Sequence, residues 1–550
     1  MKNKLTVWQL ASIVILAAFA LFIMYPLFLI LYKSVISGDT GAFTLENFTR
    51  FFAKKFYWGT MINSLKVTVV STILSAALGL PLAYLMGRVK IRGSGLINIL
   101  IVISYLSPPF IGAYAWIQML GRNGVITQYI NEIFGIHYGG VYGFAGIVLV
   151  FTLQSFPLVY IYISGALKNL DNSLNEAAES LGCSRSGRIW KIIIPLVMPA
   201  LLASSMLVFM RVFADFGTPM LIGEGYQTLP VLIYNQFMGE VSGDDGFAAA
   251  ICCIVISLTI VMFFIQRFIA RRSSYAMTAL KPMKAEKEKG LRNIAAHLAV
   301  YLTAGLAVLP QFTVIYTSFL ATKGGQVFTG GFSLESYENV LLSKDSDVIW
   351  HTYFLGLCAI AVVVVLGVVI AYLSVRKRNT LNSVLDVVTM FPFIIPGSVL
   401  GIAFVFAFNK SPIILTGTAL IMIISFAVRR MPYTVRSSTA VLGNISPGIE
   451  EAARSLGASE MTVFRKITVP MMMPGVLSGA IMSWVTIISE LSSSIILYTN
   501  STQTLTVSIY TEVIRGNYGN ASAYATVLTV TSVLSLLIFY KVTGKRDVSL

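Results

Sequence analysis

The sequence predicts an all-α, polytopic membrane protein of about twelve transmembrane helices, arranged as two related units. Three observations support this fold class. The chain has 550 residues, of which 56% are hydrophobic and only 12% are charged, about half the charged fraction of a soluble globular protein. Apolar stretches long enough to cross a bilayer recur from one end of the chain to the other. A motif in the first half returns in the second half at a fixed offset.

The candidate spans are apolar segments bounded by charged or turn-forming residues. In chain order they are residues 8–32, 62–87, 96–120, 142–166, 196–222, 247–268, 294–318, 351–375, 383–407, 412–429, 471–498 and 522–541.

The net charge of +16 comes from basic residues that cluster on alternate loops. Segments 168–191, 267–292 and 429–466 are among them, and the positive-inside rule places them, with both termini, in the cytoplasm. The opposite loops are mixed or acidic. No basic face with interleaved aromatic residues stands out, so we expect membrane lipid and not nucleic acid around this chain.

The two halves resemble each other outside the motif as well. FTLENF at 43–48 matches FSLESY at 332–337, and QTLPVLIY at 227–234 matches QTLTVSIY at 503–510. We therefore divide the chain into a first repeat (1–270), a polar cytoplasmic linker (271–292) and a second repeat (293–550). Six spans per repeat predict that the repeats are related by an axis along the membrane normal, with a translocation path on it.

The repeated motif reads EAAESLGCSRSGRIWKIIIPLVMP at 176–199 and EAARSLGASEMTVFRKITVPMMMP at 451–474, and 451 − 176 = 275. Its Glu-Ala-Ala segments favour short helices near 172–190 and 447–465. Gly182 and Gly457 supply the positive φ that ends such a helix. Pro195 and Pro470 are expected where the next membrane helix begins. Two ordinary amphipathic connectors are the alternative.

The E-A-A-x3-G pattern with its spaced prolines resembles the signature loop of permease subunits of ABC importers. The resemblance covers essentially the whole chain, as two fused type I permease units. It implies that the two helices are coupling helices, seated in grooves of two copies of an ATP-binding subunit, and that a binding protein delivers cargo outside. The implied docking positions are Glu176, Ala177, Ala178, Leu181, Gly182, Glu451, Ala452, Ala453, Leu456 and Gly457.

The chain lacks the G-x-x-x-x-G-K-[ST] phosphate loop. It also lacks a nucleophile–base constellation, and its four cysteines have no metal-ligand spacing. We therefore expect no enzyme activity, no bound cofactor and no assigned metal site in this chain. ATP and Mg²⁺ belong to the partner subunit.

Two acidic residues fall at equivalent positions at membrane depth, since Asp215 and Glu490 are also 275 residues apart (490 − 215 = 275). Such carboxylates are costly in a bilayer and often line a pathway, here one for a cation. The alternative is structural: Asp215 pairs with Arg211, and Glu490 caps a broken helix. Glu490 has no matching base, because position 486 is Thr. Small residues after each acid predict interrupted helices.

The sequence ADFGTP at 214–219, together with the fusion of two permease units in one chain, resembles permeases of ferric-iron importers. The resemblance implies iron(III) as cargo and a bacterial inner (plasma) membrane location. Relatives that carry thiamine, aminoethylphosphonate or sugar phosphates remain alternatives. An ion-coupled secondary transporter is the alternative from a different class.

Overall fold

The computed structural model describes residues 6–37, 40–135, 138–239, 244–272, 289–325, 327–342 and 346–543. The described part of the first repeat is helical. Its helices are α1 (Val7–Phe19), α2 (Tyr25–Val35), α3 (Glu46–Ala53), α4 (Lys55–Arg88), α5 (Ser94–Leu106), α6 (Pro109–Leu120), α7 (Val125–Phe134), α8 (Gly143–Lys168), α9 (Ser173–Ser180), α10 (Arg185–Arg188), α11 (Ile194–Phe213), α12 (Gly217–Ile222), α13 (Leu229–Met238) and α14 (Asp245–Arg272).

The second repeat adds a short hairpin to its helices. The strands are β1 (Leu320–Lys323) and β2 (Val327–Phe332), a small departure from the predicted all-α class. The helices are α15 (Leu291–Thr317), α16 (Glu335–Leu342), α17 (Asp347–Arg376), α18 (Thr380–Val388), α19 (Phe391–Ile394), α20 (Gly397–Phe408), α21 (Ala419–Asn444), α22 (Pro447–Ser455), α23 (Glu460–Val463), α24 (Val469–Ile488), α25 (Ser494–Leu497), α26 (Leu505–Arg515) and α27 (Tyr518–Thr543).

The described residues contain 9 helices that are long and apolar enough to cross a membrane, or up to 11 if each of two bent helix pairs counts as one span. The bent pairs cover the predicted spans 96–120 and 383–407. The predicted span 412–429 is displaced, because α21 begins at Ala419 and continues to Asn444. The predicted spans 196–222 and 471–498 are both interrupted, after Phe213 and after Ile488.

The same three-helix packing occurs in both repeats. Helices α4, α8 and α11 pack together in the first repeat, and α17, α21 and α24 pack together in the second. A glycine sits at each crossing: a Cβ on Gly79 would lie 2.7 Å from Cβ of Val159, and one on Gly367 would lie 2.8 Å from Cγ2 of Thr434. Only glycine fits at such distances, so close packing of small residues sets both crossings.

The chain forms two compact units that do not coincide with the sequence repeats. One unit joins residues 6–53 and 233–256 to residues 321–543, so α1 packs against α17 and α18, and α2 packs against α20. The other unit joins residues 54–232 to residues 257–320, so α15 packs against α5 and α6. Each repeat therefore lends its first helix to a unit built mainly from the other repeat.

The boundaries at 270 and 293 stay a prediction based on the duplication. Most of the predicted linker, residues 273–288, lies outside the described residues.

Candidate coupling helices and translocation site

The two helices that the sequence predicts are present, as α9 and α22, and their role as coupling helices stays a prediction. Each ends in the same backbone turn. The N–H of Gly182 donates to the carbonyl of Glu179 and the N–H of Cys183 donates to that of Ala178, both at 2.9 Å. In the second repeat, Gly457 donates to Arg454 at 2.9 Å and Ala458 donates to Ala453 at 3.1 Å. This pair of bonds is the Schellman motif.

Glycine is required at both turns. Gly182 has a φ of +76° and Gly457 has a φ of +89°, a region that costs other L-residues about 1 kcal/mol or more. An added Cβ would meet nothing within 4 Å at either position. Conformation therefore selects glycine here, and crowding does not. The predicted positive φ is confirmed at both sites.

A leucine precedes each glycine and points away from the protein. Leu181 is 87% exposed and Leu456 is 89% exposed. Single exposed leucines are common on protein surfaces, but two at equivalent positions of a duplicated turn form a repeated apolar contact point.

The membrane helix after each turn begins earlier than predicted. Ser184 and Ser459 cap the N-termini of α10 and α23, and the helices continue through π turns at 189–193 and 464–468 into α11 and α24. Pro195 and Pro470 directly follow the first residue after each π turn. The prolines thus stand in the first turn of α11 and α24, as predicted, but a π turn joins each of these helices to the short helix before it.

The second coupling helix is fastened by a buried carboxylate that sequence reasoning missed. Glu450 is 2% exposed, and its Oε1 accepts hydrogen bonds from Nε of Arg376 at 2.9 Å and Oγ1 of Thr468 at 3.1 Å. Arg376, in the last turn of α17, also donates to the carbonyl of Ile445 at 2.8 Å. Arg454 adds a longer contact to Glu450 at 3.4 Å. These bonds tie α22 to the membrane helix α17.

The first predicted coupling helix carries an amide where the second carries Glu450. Position 175, which corresponds to Glu450, is Asn175; it is also buried and contacts Asn172 at 3.4 Å. An ion pair joins Glu179 of α9 to Arg188 of α10 at 2.5 Å, and the Arg188 side chain is 9% exposed whereas that of Glu179 is 62% exposed.

The acidic pair of the sequence analysis lies at the two helix interruptions, which confirms the predicted breaks. Oδ1 of Asp215 accepts from the N–H of Thr218 at 2.9 Å, and Oε1 of Glu490 accepts from the N–H of Ser493 at 3.2 Å. Each acid therefore accepts a backbone hydrogen bond from the residue three positions later, at its break. Capping was the structural alternative for Glu490.

Glu490 is ion-paired, which corrects the expectation that it has no matching base. Its two carboxylate oxygens contact Arg429 and Arg430 of α21, and the residue is 3% exposed. The charge pattern predicts a cytoplasmic loop for both arginines, because it assigns charges by sequence position alone. The duplication carried a signal that could have located them. Position 429 corresponds to Gln154, in the middle of α8 and of a predicted span (429 − 154 = 275).

Asp215 is half-buried and lines a small cavity with Ser64, Thr68 and Thr228, among others. Arg211 stacks on the ring of Tyr105, with its Cζ 4.7 Å from the ring centroid. The roles of Asp215, Glu490 and Arg211 in translocation stay predictions. Among the described residues, no group of three or more His, Cys, Asp or Glu side chains is arranged to hold a metal ion.

The second helix after each interruption, α13 or α26, is held at its first residue by the same kind of hydrogen bond. Oγ of Ser64 accepts from the N–H of Leu229 at 2.7 Å, and Oγ1 of Thr352 accepts from the N–H of Leu505 at 2.7 Å. Helices α13 and α26 thus begin on hydroxyl groups of α4 and α17. The duplication therefore preserves these two helix starts as well as the loop motif.

Comparison with known proteins gives the same assignment for both halves. Residues 79–275 and 363–546 each match the family described as binding-protein-dependent transport system inner membrane component. The chain is 28% identical over 557 residues to the ferric transport system permease protein FbpB of Actinobacillus pleuropneumoniae, covering 98% of this chain and 79% of that protein. It is 28% identical over 510 residues to the putative ferric transport system permease protein FbpB 1 of Haemophilus influenzae, covering 91% and 79%.

A shorter relative matches part of the chain. The molybdenum transport system permease protein ModB of Escherichia coli is 29% identical over 221 residues, which cover 39% of this chain and 94% of that protein. Two matched family segments, the repeated coupling-helix turns and the repeated interrupted helices lead to one conclusion. This chain belongs to the family of binding-protein-dependent transport system inner membrane components, and it is a multi-pass ABC importer permease with two fused units.

Proposed function

We propose that this permease moves iron(III) into the cytoplasm, after delivery by an extracytoplasmic binding protein. The observation that carries the proposal is similarity over nearly the whole chain to two permeases named for ferric transport. The acidic pair no longer supports a cation, because Glu490 is neutralised by arginine. Thiamine, aminoethylphosphonate and sugar phosphates remain the alternative cargoes.

Two copies of a separate ATP-binding subunit would supply the energy by docking on α9 and α22. The exposure of Leu181 and Leu456 supports this role, since each offers an apolar side chain to a partner groove. The chain itself would bind no nucleotide or other cofactor. ATP-driven closure of the subunit pair would then bias the permease between two access states.

The basic segments support a bacterial inner-membrane orientation with both termini in the cytoplasm. In that orientation α9 and α22 face the ATP-binding subunits. The external surface for the binding protein would include the loops around 223–246 and 499–521, of which residues 240–243 lie outside the described part of the chain.

The test is uptake into proteoliposomes that hold the chain, its ATP-binding subunit and its binding protein. We expect ATP-dependent uptake of radiolabelled iron(III), and no uptake without the ATP-binding subunit. Uptake that needs no ATP-binding subunit would indicate a secondary transporter and end the proposal. ATP-dependent uptake of another cargo, but not of iron, would replace the substrate and keep the mechanism.

A double variant tests whether α9 and α22 are the docking sites for the ATP-binding subunits. Replacing Gly182 and Gly457 together by Val should abolish coupled uptake while leaving membrane insertion intact, because Val cannot adopt the positive φ. Gly443→Val is the matched control, since Gly443 also has open space around it but an ordinary φ. Unchanged uptake by the double variant would contradict the docking role.

A further inference from the structure

The charged cluster around Glu490 carries more positive than negative charge. Arg429 and Arg430 both reach the one carboxylate, and their side chains are 11% and 18% exposed. An ion buried without a counter-charge is strongly unfavourable, so buried charges are normally balanced by partners. Two guanidinium groups and one carboxylate leave an excess of one positive charge at membrane depth.

The cluster also holds hydrogen-bond donors that have no acceptor. The Nε atoms of Arg429 and Arg430 are buried and have no hydrogen-bond partner, and the hydroxyl of Ser489, next to Glu490, is in the same state. A guanidinium carries five N–H donors and no acceptor. These donors lack a hydrogen-bond acceptor. Because the cluster also has one excess positive charge, an anion is the acceptor that would satisfy both.

The start of α20 adds to the positive potential. A Cβ on Gly397, the first residue of this twelve-residue helix, would lie 2.7 Å from Cζ of Arg429, so the guanidinium packs against the helix N-terminus. That end carries about half a positive charge. The next residue, Ser398, is 1% exposed, and its hydroxyl has no hydrogen-bond partner.

We propose that Arg429, Arg430 and the first turn of α20 form a binding site for one small oxyanion, with Glu490 as the internal counter-charge. The planar donor fork of arginine matches the oxygen atoms of phosphate and carboxylate groups. The first repeat has no equivalent site, because Gln154 and Ser155 stand where Arg429 and Arg430 stand in the second. The site would be single and confined to the second repeat.

A purely structural role for the cluster makes a different prediction. If the arginines only hold the interrupted helix through Glu490, removing any of the three charges breaks the same cluster, and all three variants behave alike. If they bind an anion, Glu490 competes with it. Loss of Arg430 must then weaken anion binding, whereas loss of the Glu490 charge must strengthen it.

The experiment measures equilibrium binding of radiolabelled inorganic phosphate to the full-length chain in lipid nanodiscs, without other proteins. The wild type should bind one phosphate saturably. Arg430→Gln should weaken binding about tenfold or more, the effect expected for one charge-assisted hydrogen bond, and Glu490→Gln should tighten it. Arg430→Lys keeps the charge and should lie between wild type and Arg430→Gln. Arg436→Gln is the control: Arg436 lies on the same helix, is half-exposed and pairs with Asp386.

Absence of saturable phosphate binding by the wild type would overturn the proposal, and so would equal weakening by Arg430→Gln and Glu490→Gln. A second arm identifies the source of the anion. ATP-dependent uptake of labelled phosphate into proteoliposomes would show that the anion is cargo, whereas binding without uptake would show a resident ion; either result supports the site. Because binding is measured without the ATP-binding subunit, failure here leaves the importer proposal intact.

Discussion

Glu450 and Asn175 occupy the same position in the two predicted coupling helices, 275 residues apart, and both are buried. Both helices end in the same turn, with the same two hydrogen bonds. The fastening differs. Glu450 holds Arg376 of a membrane helix, whereas Asn175 contacts a neighbour three residues away. The terminal turn and its exposed leucine are therefore alike in the two repeats, whereas the buried contacts have diverged, because each buried side chain has to satisfy only its own surroundings.

The largest expected effect comes from breaking the second attachment. Glu450→Ala leaves Arg376 buried without its carboxylate, which should destabilise the protein by about 3 kcal/mol. Asn175→Ala, at the matching position, should cost about 1 kcal/mol. Thermal unfolding of the two variants in detergent measures the difference, and equal shifts in midpoint would show that the attachments are equivalent after all.

The exposed leucines should give the next effect, and it should be symmetric. Leu181→Ala and Leu456→Ala each remove an apolar contact that is worth about 1.5 kcal/mol once buried, so each should weaken binding of the ATP-binding subunit about tenfold. Neither should change the unfolding midpoint of the chain alone. Leu342→Ala is the control, since Leu342 is 82% exposed at the end of α16. Weaker subunit binding by only one of the two variants would mean that the ATP-binding subunit contacts the two helices differently.

The glycine turns should respond equally and more weakly. Gly182→Ala and Gly457→Ala should each cost about 1 kcal/mol, from the positive φ alone, since neither new methyl group meets another atom within 4 Å. Calorimetric melting of both variants tests this. A much larger loss at one site would reveal crowding that the geometry does not contain.

The sequence was sufficient for features that depend on local backbone preference. Glu-Ala-Ala segments followed by glycine predicted α9, α22 and both positive φ values, because helix propensity and the αL region act within a few residues. Most membrane spans followed from apolar length, although the predicted span 412–429 is displaced to α21. The interruptions after Phe213 and Ile488 were also predicted, from the small residues that follow each acid.

Features that depend on distant partners were missed. Glu450 finds Arg376 from another helix 74 residues earlier, and Glu490 finds Arg429 and Arg430 about 60 residues away. The charge pattern predicted a loop for those arginines, because it contains no information about a carboxylate that is distant in sequence and close in the folded protein. The start of the helical segments at Ser184 and Ser459 was missed because a π turn joins each short helix to the membrane helix that follows.

The exchange of first helices has a consequence for how this protein is made. If translation produced the halves as separate polypeptides, the first would carry α1 and α2, whose packing partners α17, α18 and α20 belong to the second, and the second would carry α15, which needs α5 and α6 of the first. Neither product could cover its own surface until it met the other. Because both halves are translated as one chain, they are always present in a one-to-one ratio. Each half then has its partner half beside it, which disfavours pairing between two copies of the same half.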